Sequence, residues 1–311
     1  MADPVRVPSR SWRPTVPVVL AALFGVALLW MYGPALREMV DRWRVDPRYS
    51  HGFLVPLFSA FLLWYRRDML AQARLQPRWW GLLLVAAGLA LDLGGVRYHF
   101  GWFEGASLML ALAGLCVLVG GWPVLRWAWP AIGFLFFMIP LPYRVERAVG
   151  QPLQWMATQA STYILQTIGL PAVAEGNIVL LKDDIRVNVA EACNGLGMLM
   201  MFFAYASAAA LIIDRPMLDR VLILLSAAPI AVLANILRIS ATGLLYVTAG
   251  SEWAQAVYHD LAGWLMMPLA LGILWFELWL LARLLPEELP EEAPLRPMDL
   301  HPQLPRRPAP A

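Results

Sequence analysis

The sequence predicts an all-α polytopic membrane protein of about eight transmembrane helices, with an extracytoplasmic amphipathic helix and a short β-hairpin before the sixth span. Three observations predict it. The first is composition. Of 311 residues, 60% are hydrophobic and 15% are charged, and the mean hydropathy is +0.59. A soluble domain has about 45–50% apolar and about 25% charged residues, so this chain has too few charges to coat a soluble globule. The second is a series of apolar runs, most of them near the roughly 20 residues that cross a bilayer. The third is a single stretch before the sixth run that breaks the pattern with polar residues and turn signals.

The runs lie at 16–35, 52–65, 79–94, 105–121, 128–142, 195–213, 221–247 and 261–284. The second is short and the fifth begins ambiguously, so seven spans is the alternative. Arg6, Arg10 and Arg13 precede the first run as they would in a signal peptide. That run is long and no small-residue cleavage site follows, so it reads as a retained anchor. Three segments result: a cytoplasmic N-terminal tail at 1–15, a membrane domain at 16–284, and a disordered Pro-rich cytoplasmic tail at 285–311. With the N-terminus inside, Arg66, Arg67, Arg74, Arg78, Arg126, Arg215, Arg220 and Arg283 all fall on the cytoplasmic side, as the positive-inside rule asks. Both termini are then cytoplasmic, and a multi-pass location in the cell's inner membrane follows. Several tryptophans stand near span ends, as an aromatic belt expects.

The excursion before the sixth run has two parts. Residues 143–170 carry Val145, Val149, Leu153 and Met156 at helical spacing with polar residues between, which reads as an interfacial amphipathic helix. Ile, Val and Leu runs on either side of Lys182, Asp183 and Asp184 read as a β-hairpin over 177–189. The orientation places both outside the cytoplasm. The hairpin feeds into Glu191-Ala-Cys193-Asn194-Gly195-Leu196 at the start of the sixth span.

Net charge is +2, so no basic field argues for nucleic acid. The two cysteines and four histidines form no disulfide scaffold and no metal-ligand pattern, and no cofactor is expected. Arg238 lies inside the seventh run, toward its outer half. A cation there costs about 2.5–3.5 kcal/mol on insertion scales, so it faces protein, water or an anion, or else snorkels about 14 Å to the interface. Asn235 shares its helix face and either holds the Arg, meets a substrate or bridges helices. Cys193 starts a helix with Asn194 as cap, where a thiol's pKa is lowered; the alternative is a small apolar filler. Cys116, mid-span, reads as filler. His259 precedes the eighth span beside Asp260, a reasonable N-cap. Thus three separate segments bring Cys193, Arg238 and His259 to one face of the membrane. A Cys–His pair is the minimum for thiol nucleophilic catalysis; Arg stays protonated and can donate to an oxyanion. Glu191 either tunes the thiol or is solvated. His51, in Tyr49-Ser-His-Gly-Phe-Leu-Val-Pro56, is either a further site residue or part of a loop turning into a helix.

Together, Glu191-Ala-Cys193-Asn-Gly-Leu196, Asn235-Ile-Leu-Arg238-Ile, His259 before the last span and Tyr49-Ser-His-Gly-Phe-Leu-Val-Pro56 resemble the exosortase/archaeosortase family. The resemblance covers about residues 45 to 284, and many members carry Ser where Asn194 stands. It implies a membrane-embedded cysteine protease or transpeptidase with Cys193 as nucleophile, Arg238 as oxyanion or thiolate stabiliser and His259 as general acid/base. It also implies partners: secreted proteins bearing a C-terminal signature of the PEP-CTERM kind, a transmembrane helix and a basic tail, often linked to exopolysaccharide export. The 177–189 hairpin is placed to hold such a signature by strand addition. Two other readings compete. In a transporter, Arg238 would be a gate. In a non-catalytic subunit of polysaccharide export, neither Cys193 nor His259 would matter beyond folding.

Overall fold

The computed structural model describes residues 15–181, 185–189, 195–213, 215–249 and 262–284. The first helices are α1 (Thr15–Met31) and α2 (Gly33–Val45), followed by a 3-10 turn at Pro47–Phe53. Next come α3 (Leu54–Tyr65), α4 (Arg67–Ala71), α5 (Trp80–Tyr98) and α6 (Gly101–Gly120). Then α7 (Trp122–Phe134) continues as a 3-10 turn through Met138, and α8 (Tyr143–Thr167) follows. Strands β1 (Ala172–Glu175), β2 (Ile178–Leu181) and β3 (Arg186–Asn188) precede α9 (Leu196–Ile212), α10 (Met217–Thr248) and α11 (Ala262–Leu284).

The protein is a mostly helical membrane protein. Among residues described in full, α5, α6 and α10 are each long and apolar enough to cross a membrane. The α7 and α8 helices make a fourth span if that pair, bent by 75°, counts as one broken crossing. The bend falls inside the expected fifth span, 128–142, because Pro140 and Pro142 cannot supply the N–H groups that would carry a helix through it. Other apolar helices are shorter: α3 has 12 residues, and α1 and α9 have 17 each.

Polarity is inverted relative to a soluble protein. Trp30, Leu57, Trp64, Leu93, Leu225 and Trp275 are exposed, whereas Ser59, Ser107, Thr158, Ser161, Asn235 and Thr242 are buried. That distribution suits a surface solvated by lipid and an interior where polar groups pair. The α8 helix shows it most sharply. Its apolar stripe, with Val145, Val149 and Met156, is exposed, while Glu146, Gly150, Gln154, Thr158, Ser161 and Thr162 turn inward. The polar face of α8 is therefore a wall of the interior.

Close packing comes from small residues. On α5, Gly81, Gly88 and Gly95 recur every seven positions and meet α6 at Gly114 and Leu118, at Ser107 and Ala111, and at Phe103 and Glu104. Such a stripe lets two helix backbones approach without a side-chain layer between them. Three apolar clusters result. The first gathers Tyr32, Met39, Trp43, Tyr49, Leu62, Met109 and Phe134 from the N-terminal half. The second joins α9 to α10 through Met198, Phe202, Ile223 and Ala231. The third lays one face of the sheet on α8 and α10, with Leu165, Val179, Val187, Val189 and Ile239 at its centre.

The sheet is antiparallel, in the order β1-β2-β3. The β1 strand is one the sequence reading did not anticipate. It pairs Glu175 with Ile178 around Gly176 and Asn177. Gly176, at φ +60°, supplies the positive φ that a two-residue hairpin turn needs.

Helix lengths set the height of the site. The α9 helix has 17 residues and runs antiparallel beside α10, which has 32. Asn235 is 18 positions after the first residue of α10, so it arrives level with the start of α9. The rest of α10, about 20 Å at 1.5 Å per residue, extends beyond α9, and the sheet packs there.

Candidate active site

The turn at Pro47–Phe53 is held by charge. Asp46 accepts the Arg48 backbone N–H at 3.0 Å. Its carboxylate also takes the guanidinium in a fork, with Nε at 2.9 Å from Oδ1 and Nη2 at 2.6 Å from Oδ2. Burial works against the Asp46 charge, but the bonds from Arg48 outweigh it and hold the carboxyl below its ordinary range. The other edge of Arg48 lies 3.9 Å from Glu146 of α8. Tyr49, almost fully buried, donates its hydroxyl proton to Glu146 and accepts the Leu141 N–H at 3.1 Å. Burial, with the Glu146 carboxylate beside it, pushes the Tyr49 phenol well above its ordinary value, so it remains a donor. A cavity of about 550 Å³ opens next to this cluster, lined by Arg42, His99, Trp102, Glu104, Leu141 and Tyr143 among others.

His51 points the other way. It is buried, with Nε2 at 3.2 Å from the Phe137 carbonyl oxygen. A carbonyl only accepts, so Nε2 carries the proton. Burial keeps the ring below its ordinary pKa. His51 thus pins the turn to the 3-10 end of α7.

The start of α9 is wedged between this turn and α10. Its cap is Gly195, at φ +83° with no side-chain capping bond, rather than the expected Asn194 one residue earlier. The reason is space and backbone. A Cβ at Gly195 would stand 3.2 Å from the Asn235 Nδ2 and 3.8 Å from Leu153 of α8. Two residues on, a Cβ at Gly197 would meet the Arg48 Cα at 3.0 Å. Upstream, Gln154 of α8 donates to the Val189 carbonyl. Val189 is thus tied to α8, and Gly195 and Gly197 pack on α10 and the Arg48 turn.

Of the residues expected at the site, the structure places Asn235, Arg238 and His51. Asn235 is 1% exposed. Arg238 is half-buried one turn further along α10, and its carbonyl accepts from Thr242 at 2.9 Å. Asn235 faces the start of the sixth-span helix; Arg238 follows on the overhang, beyond the level where α9 begins. Cys193, Glu191, Asn194 and His259 lie outside the described residues. Cys116, in α6, is half-buried. Among the described residues no group of three His, Cys, Asp or Glu is placed to hold a metal. Arg48, Glu146 and Gln154 are site residues that sequence reasoning passed over. The signal for two of them was the polar repeat at 146, 150, 154, 158 and 162 on α8.

A polar, charge-paired interior inside helices with apolar exposed faces defines a helical membrane protein. The family model for transmembrane exosortases (Exosortase_EpsH) matches residues 43–276, and the chain belongs to that family. No curated protein and no solved structure matches it.

Gly195 offers a direct probe. In Gly195→Ala, the left-handed backbone costs about 1–2 kcal/mol and the added carbon presses on Asn235. A displacement near 1 Å at a reacting group costs about 10²-fold in rate, and the few tenths of an ångström that Asn235 must give cost part of that. Gly176→Ala bears a comparable backbone cost with nothing within 4 Å. The expected outcome is a loss of about 10–10²-fold in substrate processing for Gly195→Ala at a normal membrane level, with Gly176→Ala near wild type.

Proposed function

We propose that this exosortase-family protein is a membrane cysteine protease or transpeptidase that cleaves C-terminal sorting signals of secreted proteins at the extracytoplasmic face. The observation that carries the reading is the contact of Gly195 with Asn235, one turn before Arg238. It ties the segment that follows Cys193 to the helix that bears the arginine. The overhang of α10 supports a site at the membrane boundary, where a thiolate is reachable by water.

The chemistry follows from residue types. The Cys193 thiol gives its proton to His259, and its sulfur adds to the scissile carbonyl carbon. Arg238 donates to the oxyanion of the tetrahedral intermediate. Collapse breaks the C–N bond, and the leaving amine takes the proton back from His259. The resulting thioester is opened by water to a carboxylic acid, or by an amine or hydroxyl to an amide or ester. The substrate's membrane helix holds the scissile segment beside the thiol, which removes most of the entropic cost of encounter. No metal or organic cofactor takes part.

The test uses intact cells with the outer barrier removed and a membrane-impermeant maleimide. Processing of a secreted reporter with a C-terminal membrane helix and basic tail should stop within minutes, and the Cys116→Ala variant should be blocked equally. Unchanged processing while Cys193 is shown to be alkylated would overturn the reading and favour transport or assembly.

A further inference from the structure

We propose that the outer edge of β3 receives the extended segment of the secreted substrate as a fourth strand and leads it to Cys193. This rests on the protease reading above and names how that site takes its peptide. The register fixes which groups face outward. Leu181 N–H bonds the Ile185 carbonyl and Val189 N–H bonds the Asn177 carbonyl, while Val187 lies opposite Val179. In an antiparallel ladder the bonded positions alternate. The Ile185 carbonyl, the N–H and C=O of Val187 and the Val189 N–H therefore turn toward β2, and the N–H and C=O of Arg186 and Asn188 turn away from it. Among the described residues none pairs with this edge. The opposite edge of the sheet is engaged: Gln166 of α8 donates to the Ala172 carbonyl of β1 at 2.8 Å.

The occupant follows from the edge and from its position. Alternating donors and acceptors at strand spacing match the backbone of an extended polypeptide. The sheet's inner face rests on α8 and on α10 at Ile239, one residue past Arg238. Asn188 precedes Cys193 by five residues, at most about 17 Å of chain. A peptide paired along β3 is thus held within about 17 Å of chain from the thiol. The outer face of the sheet presents exposed Val173 and Arg186, with Leu180 between them in the same row. It leaves alternate side chains of an added strand on that face, beside Arg186.

The experiment is disulfide trapping in the full-length protein. Arg186→Cys is made in a Cys116→Ala, Cys193→Ala background, which leaves one thiol and no cleavage. It is co-expressed with a reporter secreted protein that the wild-type chain processes, with single cysteines stepped along the segment before its membrane helix. Side chains of neighbouring strands on one face lie about 4.5–5.5 Å apart, close to disulfide reach. The expected result is cross-linking at every second reporter position and none from Glu175→Cys, which lies on the same face at the β1 side. In the catalytically competent chain, Asn188→Pro removes one outward N–H and leaves the inward ladder intact. It should raise KM about tenfold with kcat little changed, whereas Val187→Pro should break the sheet. Uniform cross-linking, no cross-linking, or a dimer of two copies through Arg186→Cys would overturn the inference and leave the protease reading standing. Failure of the wild-type chain to process any such reporter would instead remove the protease reading, and this inference with it.

Discussion

Cys193→Ala should abolish processing: the full-length precursor is expected to accumulate with no mature product, while the variant stays at its normal membrane level. In a thiol enzyme the nucleophile, the base and the oxyanion donors act as one unit. Removing the nucleophile alone therefore costs nearly the whole covalent pathway, on the order of 10⁶-fold. At that deficit no product forms within a cell generation. The measurement is an immunoblot of precursor and product with the variant quantified in the same gel. Cys116→Ala is the contrast. Cys116 sits half-buried in α6, a helix packed mainly on α5 and α7, and its loss should change processing less than twofold. A transporter or an assembly subunit would tolerate both substitutions alike, so the pair separates the classes.

Arg238→Ala should lower the processing rate by about 10²–10³-fold, the usual cost of removing one oxyanion donor. The helix itself should survive the change. Thr242 bonds the Arg238 carbonyl, a backbone group that alanine retains, and Ser161 of α8 anchors the neighbouring Ile236 carbonyl at 3.1 Å. Arg238→Lys separates two roles. An ammonium supplies charge but not a planar fork. If Arg238 acts as a point charge on the oxyanion, Lys recovers about tenfold or more of the loss; if it acts through two parallel bonds, Lys resembles Ala. The check is the single-turnover rate of reporter cleavage in membranes, with each variant's level measured.

The helical membrane class was legible because it depends on amounts: 60% apolar and 15% charged residues leave no soluble alternative. Cys193 lies outside the described residues, whereas Arg238 and Asn235 were legible as an unusual pair, since an arginine in an apolar run stands out and Asn235 shares its helix face. The height of Arg238 was not. Placing it beyond the start of α9 required knowing that α10 pairs antiparallel with a 17-residue neighbour, which is a tertiary fact. The role of α8 was half-legible. Its amphipathic period was plain, but an interfacial helix turns its polar face to water. In the structure that polar face turns into the protein, and Glu146 and Gln154 are interior groups. Strand β1 was missed because four residues, Ala-Val-Ala-Glu, carry almost no alternation, and only the Gly-Asn step marked the turn after them. The cap fell on Gly195 rather than Asn194 because its φ of +83° favours glycine and Asn235 leaves little space beside it, and no local rule of capping contains that neighbour.

The central claim is a covalent bond between Cys193 and the substrate, and the most direct measurement captures it. Membranes carrying the wild-type chain are incubated with the reporter protein for short times, quenched by denaturation at acidic pH and separated without thiol. The account predicts an adduct with the mass of the protein plus the N-terminal part of the reporter, released by neutral hydroxylamine and mapped to Cys193 by mass spectrometry. Efficient cleavage with no adduct at Cys193, unchanged when Cys193 is replaced, would contradict it.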